Sequence, residues 1–319
     1  MVMRLFTALL LVLMLISCFE PDERVLPYPG EIVTITDSVQ VYQTWFDLES
    51  GLAVSVNKTD KWALAFESSE DGWKIITNSG GDWFIYNTYT TEFPVNSTLP
   101  GNLEGLFDNP ASWPTSTAIG DWTIDNYTYV LSRYLNGSFS KAYHVRFLQF
   151  DSDSYEFIVY DDSPDTVEIT KDRANTFSYY SIEEKAQVYP EPGKENYDLI
   201  FTSYYDKPTL FGQTIPYKVG GVLLNTWNTA AVLDSVMSWE NIRPDIISTL
   251  EFSSRRDIPG YNWKNVAVDI SGGGSASYTV KPGYNYIIST AQGNYYKLRF
   301  LSYTLDGRSG FPRFEYSEL

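Results

Sequence analysis

The sequence predicts an all-β protein of two related antiparallel modules with one or two short helices. Three observations predict it. Aromatic residues make up 16% of the chain, as 25 Tyr, 18 Phe and 9 Trp, and such rings favour pleated, half-buried surfaces. Several segments alternate with a period of two. Trp62–Phe66 places Trp62, Leu64 and Phe66 on one face, and Tyr143–Phe150 sets Tyr143, Val145 and Phe147 against His144, Arg146 and Leu148. Turn signals punctuate these runs: Asn78-Ser79-Gly80-Gly81, Asn136-Gly137 and Asp306-Gly307, the last two suited to hairpins. Few segments carry helical spacing, and residues 230–242 are the best candidate, with Ala231, Val232, Ser235, Val236 and Trp239 near one face. Ser271–Ser275 reads as a flexible glycine-rich loop.

The elements follow in chain order. Residues 1–17 hold Arg4 and then an apolar run from Leu5 to Ile16. That run is short for a membrane span and fits the core of a secretion signal. It ends in Leu15-Ile16-Ser17-Cys18, the pattern of a bacterial lipobox, and Cys18 is the only cysteine. Acyl chains on Cys18 would hold the protein on a membrane with no span of its own, and the acidic stretch Phe19-Glu20-Pro21-Asp22-Glu23 resembles the one that sends bacterial lipoproteins to the outer-membrane surface. Residues 18–40 read as an acidic, proline-rich tether.

Past the tether the chain resembles itself. Trp45–Glu49 matches Tyr179–Glu183, and Trp62–Phe66 matches Tyr197–Phe201. Gly80-Gly81 matches Gly220-Gly221, Tyr129–Leu131 matches Tyr286–Ile288, and Val145–Leu148 matches Leu298–Leu301. The order is the same in both halves, which places one module at residues 41–161 and the second at 162–319.

Charge and rare residues exclude several classes. With 23 Lys and Arg against 40 Asp and Glu, the net charge is −17. Phosphate binding needs a basic stripe, so nucleic acid is excluded as a partner. One Cys and one His leave no internal disulfide, no thiolate metal cluster and no two-imidazole site. A serine nucleophile would depend on His144, which stands in no recognisable catalytic context. Gly272–Gly274 lacks the Lys and the helix of a phosphate loop. Asp60, Glu67, Glu70, Asp71, Glu183, Glu184 and Asp198 read as solvated surface charge. Asp151-x-Asp153-x-x-Glu156 and Asp161-Asp162 could hold calcium, but their spacing misses the helix-loop-helix motif and a turn between Phe150 and Phe157 explains them as well. The expectation is a protein without catalysis and without a bound metal ion.

Two motifs carry a family resemblance. The first is Trp62–Phe66 followed by Thr77-Asn78-Ser79-Gly80. The second is the terminal strand pair, Tyr296–Tyr303 and Gly310–Tyr316. With the lipobox they resemble the HmuY family of haem-binding surface lipoproteins of Bacteroidetes. The resemblance implies haem passed to a TonB-dependent outer-membrane receptor. It also implies axial His or Met ligands from the region between the two motifs. Met237 lies in that region of the second module and is the ligand candidate. His144 lies outside it, on the second-motif strand, and aligns with Lys297, so it is expected to face solvent. Aromatic candidates for a binding surface fall in the same middle segments: Trp83, Tyr86, Tyr89, Trp113 and Trp122 in the first module, and Trp227, Trp239, Tyr261 and Trp263 in the second. Rings beside polar groups also suit a glycan or a protein, which is the alternative to haem.

Overall fold

The computed structural model describes residues 30–93, 104–135, 137–210, 213–269 and 275–319. The signal segment, Cys18 and the tether up to residue 29 lie outside the described residues, as do Asn136 and Ser271–Gly274. The first half holds β1 (Glu31–Thr34), β2 (Tyr42–Asp47), β3 (Leu52–Lys58), β4 (Leu64–Glu67), β5 (Ile75–Thr77), β6 (Trp83–Asn87), β7 (Tyr129–Leu135), β8 (Ser138–Phe150) and β9 (Ser154–Asp161). The second half holds β10 (Ser163–Thr170), β11 (Phe177–Ser181), β12 (Ala186–Val188), β13 (Leu199–Asp206), β14 (Thr209–Leu210), β15 (Gln213–Thr214), β16 (Tyr217–Leu224) and β17 (Ala230–Asp234). It continues with β18 (Lys264–Asp269), β19 (Ser275–Val280), β20 (Asn285–Ser289), β21 (Tyr295–Leu305) and β22 (Arg308–Glu318). The described helical segments are short: α1 (Trp122–Asp125) and several 3-10 turns. None of them is long and apolar enough to cross a membrane.

Every strand pair is antiparallel, and the sheets come in matching pairs. Two have five strands, ordered β10-β9-β8-β7-β6 and β1-β22-β21-β20-β17. Two have four, ordered β12-β11-β4-β5 and β16-β13-β2-β3. The division expected at 161/162 is crossed by these pairings. Leu64 in β4 opposes Tyr180 in β11, and Leu199 in β13 opposes Phe46 in β2. The first three strands of each half thus complete the sheets of the other half.

The two main cores follow this exchange. One gathers Leu64, Phe66, Val145, Phe157 and Tyr180, all from the continuous stretch between Ala63 and Ile182. The other joins Ile35, Val39 and Phe46 to Leu199, Phe201, Trp263, Phe300 and Phe314. Four of the five sequence matches occupy corresponding strands of the two bodies. The glycine pair does not: Gly80-Gly81 form a 3-10 turn, whereas Gly220-Gly221 lie inside β16. A repeat in sequence reports which segments are alike, not which copy each one pairs with.

Two further expectations are corrected. The tether does not extend to residue 40. Glu31–Thr34 pairs with β22, and Ile35 and Val39 are core residues. The prolines end at Pro29, and the β-branched run behind them covers a sheet edge. Residues 230–242 do not form a helix. Ala230–Asp234 pairs with β20, then Asp234 Oδ1 accepts the backbone N–H groups of Val236 and Met237 and turns the chain. Only Trp239–Asn241 is helical, as a 3-10 turn. Cross-strand pairing overrides a spacing that fits both periods.

Turn chemistry behaves as the sequence implies. Asp306 and Gly307, both at positive φ, join Leu305 to Arg308 in a two-residue hairpin. Asn78 donates from Nδ2 to the carbonyls of Thr59 and Trp62 and accepts from Gly81 N, fixing the turn after β5. That turn packs on β13 so closely that a Cβ on Gly80 would lie 2.3 Å from the Ser203 carbonyl oxygen. Gly80→Ala should therefore destabilise the fold by about 1–3 kcal/mol, the usual range for overpacking. Urea unfolding checks this, and an unchanged midpoint would contradict the contact.

Candidate functional site

The two four-stranded sheets turn their second faces toward a cavity of about 60 Å³. Its walls are aromatic: Trp45 from β2, Trp62 before β4, Phe177 and Tyr179 from β11, Tyr204 from β13, and Trp113 from the loop after β6. Polar groups interrupt them. Asp108 accepts from Thr77 N at 2.6 Å, Thr77 Oγ1 at 2.9 Å and Ala118 N at 2.8 Å. Burial pushes its carboxyl up to about 6 against these stabilising contacts. Trp45 Nε1, Tyr204 Oη and Arg256 Nε belong to lining residues and are buried without a hydrogen-bond partner. These groups leave hydrogen-bonding capacity beside an otherwise aromatic cavity. Its volume corresponds to about two water molecules and is far below the roughly 300–1,000 Å³ of small-molecule sites.

Beside the cavity, Glu191 joins the two bodies. Its carboxylate accepts from Thr176 N and Oγ1, Phe177 N, Tyr179 Oη and Tyr197 Oη. Thr176, Phe177 and Tyr179 lie in and beside β11, and Tyr197 leads into β13. Burial raises the Glu191 pKa, and the hydrogen bonds work against that rise.

His144 overturns the expectation of exposure. It sits in β8, opposed by Val130 of β7 and Tyr160 of β9, and its relative exposure is 0%. Its ring stacks on Tyr160 at 6.3 Å with 12° between planes, and Phe93 stacks on Tyr160 in turn. Both imidazole nitrogens are buried and unpartnered. Burial lowers the His144 pKa and so favours the neutral ring. Arg146, two residues along the same face, holds its guanidinium 4.7 Å from the Phe93 ring centre, and its Nε is also without a partner.

Lys297, the counterpart of His144, is buried as well. Its Nζ donates to the carbonyls of Trp239 at 2.9 Å and Ile242 at 3.2 Å. The outer faces of both five-stranded sheets are thus covered at these two positions, and strand alternation alone could not reveal that.

These features sit in a recognisable frame. The family model described as HmuY protein matches residues 40–316. The chain belongs to the HmuY family. Solved structures of similar arrangement include apo PinO from Porphyromonas gingivitis, 9% identical, with a TM-score of 0.34 over 91% of this chain and 98% of that one. The apo HmuY analog of Tannerella forsythia is 11% identical, with a TM-score of 0.26 over 90% and 94%. A candidate HmuY-like heme binding protein from Bacteroides vulgatus is 14% identical, with a TM-score of 0.19 over 55% and 90%. No curated protein matches the chain.

In this HmuY-family chain the expected ligand Met237 is half-buried in the bend after β17. Its backbone carbonyl accepts from Asn285, and it does not line the cavity. It belongs to the body opposite His144, so the two do not form a ligand pair.

The aromatic candidates divide. Trp83, Tyr86, Trp122, Trp239 and Trp263 are buried, which corrects their reading as binding surface. Trp83 and Trp122 belong to the first core, with Trp122 Nε1 bonded to the Trp73 carbonyl. Tyr86 packs with Phe84, Phe107 and Val130, and burial pushes its hydroxyl up to about 12. Trp239 shields Lys297, and Trp263 stacks on Phe300 at 3.9 Å. Trp227 is half-buried against Lys194. Tyr261 donates to Asp206 Oδ2, and Tyr89 is open to solvent. Of the nine, only Trp113 lines the cavity.

Most of the carboxylates are placed as expected. Asp60 and Glu183 pair with Arg133, and Glu184 with Lys61. Asp151 Oδ1 accepts from Asp153 N and Ser154 N and closes a turn. Asp198 is the exception, being fully buried rather than solvated.

Proposed function

We propose that this chain is a lipid-anchored surface protein of the HmuY family that binds haem without catalysis, with His144 as an iron ligand. In this reading Cys18 carries the anchor at the outer membrane, and haem passes on to a TonB-dependent receptor. The observation that supports it is His144: a buried imidazole whose neutral form burial favours, with both nitrogens unpartnered and its ring stacked on Tyr160. Haem iron takes a neutral imidazole, and the macrocycle needs flat apolar walls. Arg146 lies on the same face and could meet a propionate. His144 is buried, so neighbouring side chains must move before iron can reach it, and association should be slow. His144 stands on the second-motif strand rather than between the motifs, a departure from the ligand placement that the family resemblance implies.

The test is a haemin titration of the purified full-length protein in detergent. The expected result is a saturable Soret shift at about one haem per chain, with low-spin bands in both iron oxidation states. A flat titration would refute the reading. Glycan or protein capture would then take its place, with Trp113 at the aromatic cavity as the first residue to substitute.

A further inference from the structure

We propose that Asp47, Glu49 and Asp198 form a calcium site at the join between β2 and β13. The strands bring them together: Phe46 opposes Leu199, so the residues beside that pair converge. One carboxylate oxygen from each residue lies within 4.8 Å of those of the other two. Two ligands each about 2.4 Å from a calcium ion are at most about 4.8 Å apart. No two of these oxygens are therefore too far apart to share one such ion.

The second observation is Asp198 itself. It is 1% exposed, its Oδ2 accepts from Leu48 N at 2.9 Å, and its Oδ1 is buried without a partner. An acceptor left unmatched in the interior is costly. None of the ion pairs among the described residues involves Asp47, Glu49 or Asp198. Thr290 Oγ1 and Asn294 Nδ2 hold Glu49 in place through Oε1. Calcium suits the set better than magnesium, because it accepts irregular oxygen geometry and keeps fewer waters. Glu49 is exposed and leaves one side open for water ligands.

The experiment is thermal unfolding of the full-length protein, first stripped with EGTA and then titrated with calcium chloride or magnesium chloride alone. Calcium should raise the melting temperature saturably, by roughly 5 °C at a hundredfold excess over Kd. Magnesium should do less, and EGTA should reverse the shift. Asp198→Asn keeps the acceptor for Leu48 N and should abolish the calcium response. Should that variant fail to melt cooperatively, the surface pair Asp47→Asn with Glu49→Gln replaces it, with the same expectation. No calcium shift in the wild type, or an equal shift in the variants, would overturn the site.

Discussion

Glu191→Ala should destabilise the fold by about 3 kcal/mol or more, because each buried donor left without its acceptor costs about 1–3 kcal/mol. The side chain accepts five hydrogen bonds in the interior. Truncation leaves two backbone N–H groups and three hydroxyls without their acceptor, and such orphans carry most of the penalty. The loss falls on the join between the bodies, because Tyr179 belongs to β11 and Tyr197 precedes β13. Unfolding by urea should show the shift with one cooperative transition. Glu191→Gln keeps two acceptor lone pairs but adds donors facing donors, so it should lie between the wild type and Ala. A Glu191→Ala protein with wild-type stability would mean that the cluster does not hold the bodies together.

His144→Ala should weaken haemin binding by on the order of 100-fold or more. Removing groups that merely orient a metal ligand costs about 10–100-fold, and loss of the ligand itself should be at least as large. No hydrogen bond to the ring is lost, since both nitrogens are unpartnered, so the cost to folding is that of the cavity left by a buried ring. A thermal melt of the variant separates the two effects. Met237→Ala should leave the haem spectrum unchanged, since Met237 lies on the other body. Equal haemin affinity in His144→Ala and wild type would remove His144 from the site.

The framework was legible from residues because turn chemistry and strand alternation are local. Asp306-Gly307, the Asn78 turn and the alternation of Val145 and Phe147 all stand in the structure where the sequence puts them. What was not legible is long-range. The matched segments are visible in sequence, but the exchange of β1–β3 and β10–β12 between bodies depends on which edges meet. The outer face of β8 reads as polar because it carries His144 and Arg146. Its burial depends partly on residues distant in sequence, such as Phe93 against Arg146. Trp83, Trp122, Trp239 and Trp263 were read as surface for the converse reason: rings fit a platform and a core equally well, and only packing separates the two. Glu191 and Asp198 carry no local sign of burial in a chain with 40 acidic residues.

The central claim is that the only histidine in the chain ligates haem iron. Because the sequence contains one His, growth with ¹⁵N-histidine labels His144 alone. Electron–nuclear double resonance on the ferric haem complex of that protein tests the claim most directly. The account predicts a strong ¹⁵N coupling from a directly bonded nitrogen, absent from the His144→Ala complex. A spectrum holding only the porphyrin ¹⁴N couplings, from protein saturated with haemin, would contradict it.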